Sequence, residues 1–492
     1  MYKDMSSTTR PFAIAILLYS AFALSAEPVT PEKLSLEDCI RIAMERHQSL
    51  NVSEANVAMA EALYQQAMSA YWPKIAAEVN AQRADQDRTY SLQGQFDLPP
   101  AVGGALTSVV AQSNPQYAQA LQLGLAKPIS AIPINMDVKL FDRDIATSSI
   151  NLTYPIFTGM KREAIVAQAE KGVKIAEEGR RKTNLEIVRD VKKYYYAAQF
   201  ALQMEQLADD TLERFKALED LTERLYQHGS MKVKKTDYLR TKTTTAITRT
   251  MRSEAKYARE LAHEALGNAM GQPWDAKYSL AEAGDEASPI SEELKQLIDS
   301  AQSFNPDIQQ LKLAVEISDD QITEARSGYY PMIGFQAEAH HIMTDYHSGL
   351  TNNANRDGWT IGIGMQWNLF DGFQTTGKVN HAKAQQRQLE SQQILLDQGI
   401  ALQVKQQFLS IKSSSAQTKD SNEAVGYASE NRKLHVRAYQ DELVETKDVI
   451  EAQIVETFAQ GTYYRSRYAL EMGLLSLEYL IGRNVESLNQ VQ

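Results

Sequence analysis

The chain has 492 residues, a formal charge of −11 and a single cysteine, Cys39. The acidity argues against a nucleic-acid partner, since nothing balances phosphate repulsion, and a lone thiol excludes an intrachain disulfide. Beyond the N-terminal apolar run, no stretch stays apolar for the roughly 18 residues a membrane-spanning helix needs.

In chain order, residues 1–26 read as a secretory signal peptide. Lys3 and Arg10 precede the apolar run Pro11 to Leu24, and the small residues Ala23, Ser25 and Ala26 lead into Glu27-Pro28. Cys39 lies well past that cleavage site, so N-terminal acylation is not expected. The remainder divides into two tandem repeats, 27–285 and 286–492, because "SAYWPKIAAEVNA" (Ser69 to Ala81) returns as "SGYYPMIGFQAEA" (Ser327 to Ala339).

The first repeat predicts a helix over Ser49 to Tyr71, a strand at about 74–83, a long insertion at about 84–146 and a second strand at about 147–157. A proline-free helix at about 160–228 and a shorter one over Thr236 to Leu266 follow. The stripe Val188, Val191, Tyr195, Ala198 and Leu202 marks the seam of the long helix. The second repeat predicts a helix over Asp307 to Tyr329, strands at about 332–343 and 357–370, a long helix at about 377–440 with the stripe Ile400, Val404, Phe408 and Ile411, and a helix over Lys447 to Leu480. The long helices would measure about 100 Å, matched by the shorter pair of each half stacked end to end.

The strands alternate. Trp359, Ile361, Ile363, Met365, Trp367 and Leu369 face one way, and Thr360, Gly362, Gly364, Gln366 and Asn368 the other, which fits a strand with lipid on one side and water on the other. Ile333, Phe335, Ala337 and Ala339, then Ile150, Leu152, Tyr154 and Ile156, and more weakly Ile75, Ala77, Val79 and Ala81, repeat the pattern. Four strands cannot close a barrel, and an open edge in hydrocarbon leaves amides unpaired. Oligomerisation follows: two chains supply about eight strands and a filled interior, three about twelve and a lumen.

The aromatics Tyr71-Trp72 and Tyr329-Tyr330, each followed by proline, mark joints where a helix stops and a strand enters lipid; with Trp359 and Trp367 they suit the membrane-water boundary. No catalytic or cofactor motif emerges, so the chain is expected to be no enzyme and to carry no cofactor. His340, His341, Asp345 and His347 read as solvent-facing groups at a strand end rather than a metal site, and Gly362 and Gly364 lack the following helix of a dinucleotide loop. The alternative to a pore is a periplasmic coiled-coil adaptor or structural rod.

The two repeats, the "YWP" and "YYP" joints, and "YPIFTG" (Tyr154 to Gly159) or "WNLFDG" (Trp367 to Gly372) opening a very long helix resemble the TolC-type outer-membrane efflux and secretion ducts over nearly the whole mature chain. Asn305-Pro306 matches that family's helix break, where the first half has Gln48-Ser49. The resemblance implies a mainly α fold with a membrane β-barrel. It also implies a homotrimer whose twelve-stranded barrel continues into a twelve-helix periplasmic tunnel in the outer membrane of a Gram-negative bacterium. The partners implied are a periplasmic adaptor (membrane fusion) protein, an inner-membrane RND, ABC or MFS transporter, and outer-membrane lipid.

By the same resemblance, Asp448 and Glu451 fall on the acidic rings of the closed periplasmic gate, a cation-favouring constriction. Asp237 and Tyr439 fall on gate-latch partners, although Val444 replaces the latch arginine; Lys447, or Lys232, Lys234 and Lys235, could substitute. Met231, Glu442 and Leu443 lie at the adaptor-docking tip, with Met231 and Glu442 where the family carries glycines. The insertion at 84–146 reads as an extracellular surface loop, with a lid or lengthened strands as alternatives.

Overall fold

Local capping and the break at Asn305-Pro306 set where the helices begin. The computed structural model describes residues 33–92, 136–281, 293–344 and 356–482; the expected signal peptide, the middle of the insertion, Asp345 and His347 lie outside them. Helix α1 (Leu36–Arg46) starts on a reciprocal cap in which Asp38 N donates to Ser35 Oγ (3.2 Å) and Ser35 N to Asp38 Oδ2 (3.2 Å). Helix α2 (Gln48–Met68) and a 3₁₀ turn (Ser69–Tyr71) lead into the first strand of the large sheet. Then come α3 (Lys161–Gln227) and α4 (Lys235–Ala269). The second half repeats the order with α5 (Leu294–Phe304), α6 (Pro306–Arg326), a 3₁₀ turn (Ser327–Tyr329), α7 (Gln374–Gln440) and α8 (Thr446–Ile481). At Asn305 the side chain accepts from Asp307 N (2.9 Å) and Pro306 occupies the first helical turn, where its missing donor costs nothing.

Both α3 and α7 have 67 residues, about 100 Å each. Packing places α3 beside α2 and then α4, and also beside α6 and then α8, while α7 packs on α6 and α8. One chain is thus a four-helix wall whose free edges are α2 with α4 on one side and α7 on the other. The breaks between the stacked short helices are plugged by α1 and α5. Cys39 and Ala43 of α1 pack with Ile187, Val191 and Tyr195 of α3 and Leu266 of α4; Leu297 and Ala301 of α5 pack with Ile400, Val404 and Ile411 of α7 and Leu477 of α8. The α3 seam therefore runs through Ile187 instead of Val188, and Leu202, expected within it, is 40% exposed.

Strands β2 (Lys74–Arg83), β5 (Asp144–Phe157), β7 (Met332–Thr344) and β8 (Asp357–Gln366) form one antiparallel sheet in the order β2-β5-β7-β8. A short parallel pair, β1 (Lys33–Leu34) with β6 (Ser279–Leu280), ties the start of the chain to the segment after α4. The last strand ends at Gln366, short of the expected residue 370. Gln366 pairs with Met332, and the next residue of the partner strand is Pro331, which has no N–H to continue the ladder. The expected loop at 84–146 is also partly strand: β3 (Arg88–Leu92) pairs with β4 (Met136–Phe141), and β5 begins at Asp144. Asp87 helps fix this extension, accepting from Arg143 N (2.8 Å) and pairing with Lys139 (2.7 Å).

Each long helix opens on two consecutive left-handed residues, Gly159-Met160 (φ 65° and 70°) and Gly372-Phe373 (φ 66° and 69°). A Cβ at Gly159 would lie 2.8 Å from both Ser327 O and Tyr330 Cβ, whereas one at Gly372 would meet nothing within 4 Å. Gly372→Ala is therefore expected to lose only the left-handed penalty of about 1–2 kcal/mol, and Gly159→Ala clearly more, because it also forces the second joint outward. Denaturant unfolding of the two variants checks this, and equal losses would refute it.

Candidate functional site

Register turns the strand pattern into a continuous surface. Ile75, Leu152, Ala337 and Ile361 stand side by side across the four strands, as do Ala77, Ile150, Ala339 and Trp359. The other face carries Ala76, Asn151, Glu338 and Thr360, then Glu78, Ser149, His340 and Gly358. On the apolar face Ile75, Val79, Ile363 and Met365 are at least 65% exposed. An area this apolar marks contact with lipid or another chain.

Of the expected boundary aromatics, all but Trp359 gather at the joint. Trp72 is 71% exposed, and Tyr71 lies under Arg162, whose guanidinium is 4.3 Å from the ring centroid and donates to Pro155 O (3.1 Å). Trp367 Nε1 donates to Tyr329 O (3.1 Å), and Tyr329 hydrogen-bonds Thr376 through its hydroxyl (3.1 Å). Tyr330 is half-exposed beside Gly159, and Trp359 stands 75% exposed at the far end of β8.

At the opposite end of the wall the two turns are built alike. Each long helix closes with paired bonds back into its last turn: Ser230 N to Leu225 O (3.1 Å) with Gly229 N to Tyr226 O (3.2 Å), and Leu443 N to Ala438 O (2.8 Å) with Glu442 N to Tyr439 O (3.0 Å). The left-handed slot is Gly229 in the first turn (φ 76°) and Glu442 in the second (φ 56°). Glu442 thus occupies a position that favours glycine; Met231 lies beyond the slot of the first turn and is 98% exposed, with Leu443 at 73%. The Glu442 side chain is used: Ser230 Oγ donates to its carboxylate (2.9 Å), and Lys232 Nζ donates to its carbonyl (2.5 Å), lacing the turns together.

Asp448 and Asp237 prove to be structural counterparts. Each sits in the first turn of its helix, accepting from the backbone N–H three residues before: Glu445 N to Asp448 (3.1 Å), Lys234 N to Asp237 (3.0 Å). Glu451, one turn further along α8, is exposed. Asp237 and Tyr439 share no hydrogen bond within the chain. Tyr439 is 2% exposed, and its hydroxyl bonds Thr222 (3.0 Å) and Thr446 (2.9 Å), joining α3, α7 and α8. Val444 packs against this cluster with Phe215, Leu218, Val449 and Ile450. Lys447 pairs with Glu445 (3.1 Å).

Sequence reading missed the strongest polar contact near the tip. Glu456 of α8 is 2% exposed, and its Oε2 lies 2.5 Å from both Arg214 Nη1 of α3 and Arg432 Nε of α7. The signal was a carboxylate in the buried seam Val449, Ala452, Gln453, Glu456 and Ala459, a position that demands a partner. Among the described residues no group of three or more His, Cys, Asp or Glu could hold a metal, and no helix is long and apolar enough to cross a membrane.

A subunit with a lipid-type sheet face and helices running about 100 Å beyond it is part of a membrane duct. A family model for outer membrane efflux proteins matches residues 39–272 and 297–483, once in each half, and the chain belongs to that family. No curated protein matches by sequence. Among solved structures, CusC, described as forming a transmembrane channel, shares 14% identity over 92% of this chain and 93% of its own, at a TM-score of 0.72. The outer membrane protein VceC from Vibrio cholerae shares 16% over 91% and 96%, at 0.69. The Campylobacter jejuni CmeC outer membrane channel shares 13% over 96% and 94%, at 0.71.

Proposed function

We propose that three copies of the chain close a twelve-stranded outer-membrane pore on a twelve-helix periplasmic tunnel, the passive exit duct of a tripartite efflux pump or type I secretion system. The observation that carries this reading is the open sheet. Strands β2 and β8 each pair on one side alone among the described residues, and a lipid-facing ribbon must pair both sides. The helical wall has matching free edges. Leu395, Leu402 and Leu409, then Tyr427 and Leu434, recur every seventh residue on α7 and are exposed; Ile247, Met251, Tyr257 and Leu261 are exposed on α4. A periplasmic rod has no use for the apolar sheet. An adaptor docks at the tip near Met231 and Leu443, and an inner-membrane RND, ABC or MFS transporter supplies the energy.

Fractionation and reconstitution test the reading. A heat-modifiable trimer in the outer-membrane fraction that conducts ions in planar bilayers is the expected result; a soluble periplasmic monomer without current removes it. In the closed trimer Glu451 forms the main acidic ring, because Asp448 also caps α8. Removing three carboxylates takes away roughly 1 kcal/mol of attraction each at 4 Å in water. Glu451→Ala is therefore expected to raise single-channel cation conductance and weaken block by trivalent cations at least about tenfold, with a smaller change for Asp448→Asn. Unchanged conductance and block would dismiss the ring.

A further inference from the structure

A groove of about 590 Å³ opens between α6 and α7 just beyond the sheet, lined by Asp319, Thr323 and Arg326 of α6 and Lys383, Gln386 and Arg387 of α7. Its charge is lopsided. Asp319 is held by Gln386 Nε2 (2.5 Å), and Asp320 and Glu324 turn to α3, where they meet Lys171 (2.6 Å) and Gln168 (3.0 Å). Elsewhere cations between the helices are matched, as in Lys182 with Asp307 (2.8 Å) and Lys192 with Glu478 (2.7 Å). Among the described residues Arg326, Lys383 and Arg387 make no ion pair; Arg387 Nε reaches only the Lys383 carbonyl (3.4 Å).

The groove also faces a definite side. Trp367, which continues the apolar-face series of β8, bonds Tyr329, and Tyr329 bonds Thr376. Lys383 and Arg387 lie two and three turns beyond Thr376, within about 20° of it around the helix, so the groove opens on the lipid side of the wall. Side chains of a helix lean toward its N-terminus. Lys383 and Arg387 on α7 therefore lean toward the sheet, while Arg326 at the end of α6 leans away from it, and the three cations converge.

We propose that this groove binds the phosphodiester headgroup of an anionic phospholipid in the periplasmic leaflet, one per chain, and so fixes the depth of the duct in the bilayer. Two guanidinium forks and an ammonium suit phosphate oxygens, and a bilayer offers such groups at this level alone. The proposal rests on reading the sheet as membrane-embedded. Its test is native mass spectrometry of the purified full-length protein after delipidation and addition of phosphatidylglycerol, beside planar-bilayer recordings. The wild type is expected to retain one lipid per chain, and R326Q/K383Q/R387Q to retain at least about tenfold less with conductance unchanged. Equal retention by the two proteins overturns the proposal, as does complete displacement of the lipid by millimolar inorganic phosphate, which would mark a site for soluble anions. Failure of the duct reading is separately visible, as absence of a trimer and of current in the wild type.

Discussion

Glu456→Ala is expected to destabilise the tip by about 3–5 kcal/mol, because it leaves the two guanidinium groups of Arg214 and Arg432 in a largely buried site without their carboxylate. The contacts differ in quality. Arg214 makes an aligned hydrogen bond to Glu456, whereas Arg432 Nε is in ion-pair contact without one. Arg432→Ala should therefore cost less than Glu456→Ala. Glu451→Ala, one turn nearer the tip on the same helix but exposed, should stay within about 0.5 kcal/mol. Replacing all three members by apolar residues of similar volume should recover most of the loss, which separates an unpaired buried charge from a simple cavity. Denaturant unfolding reads these differences; a Glu456→Ala loss no larger than that of Glu451→Ala would contradict the assignment.

Leu402→Glu combined with Leu409→Glu is expected to abolish the proposed trimer. Both leucines stand more than half exposed on the free face of α7, one heptad apart, and burying each against a neighbouring chain contributes about 1.5–3 kcal/mol. Each interface would lose roughly 3–6 kcal/mol before the further penalty of burying carboxylates, repeated at every interface of a ring. Light scattering in detergent should find monomer, and reconstituted protein should carry no current. Trimers surviving both substitutions would mean that α7 is not the contact edge.

How much the sequence disclosed follows from how far each interaction reaches along the chain. Joints, strand faces and long helices were legible because they rest on neighbours: proline after paired aromatics, period two in Trp359 to Met365, and the three-four stripe from Ile400 to Ile411. The tip was less so. Asp237 accepts from Lys234 N, three residues away, a capping role that local spacing carries. Tyr439 instead finds Thr222, from the other half of the chain.

The sequence by itself determined the duplicated architecture and the lipid-type face, since alternation and spacing are properties of the chain alone. Only the tertiary structure decided which carboxylate is buried between arginines, where the last strand stops and which cations share a groove. Those outcomes depend on segments far apart in sequence meeting across α3, α6, α7 and α8, where desolvation and a missing proline donor choose among partners that no local pattern names.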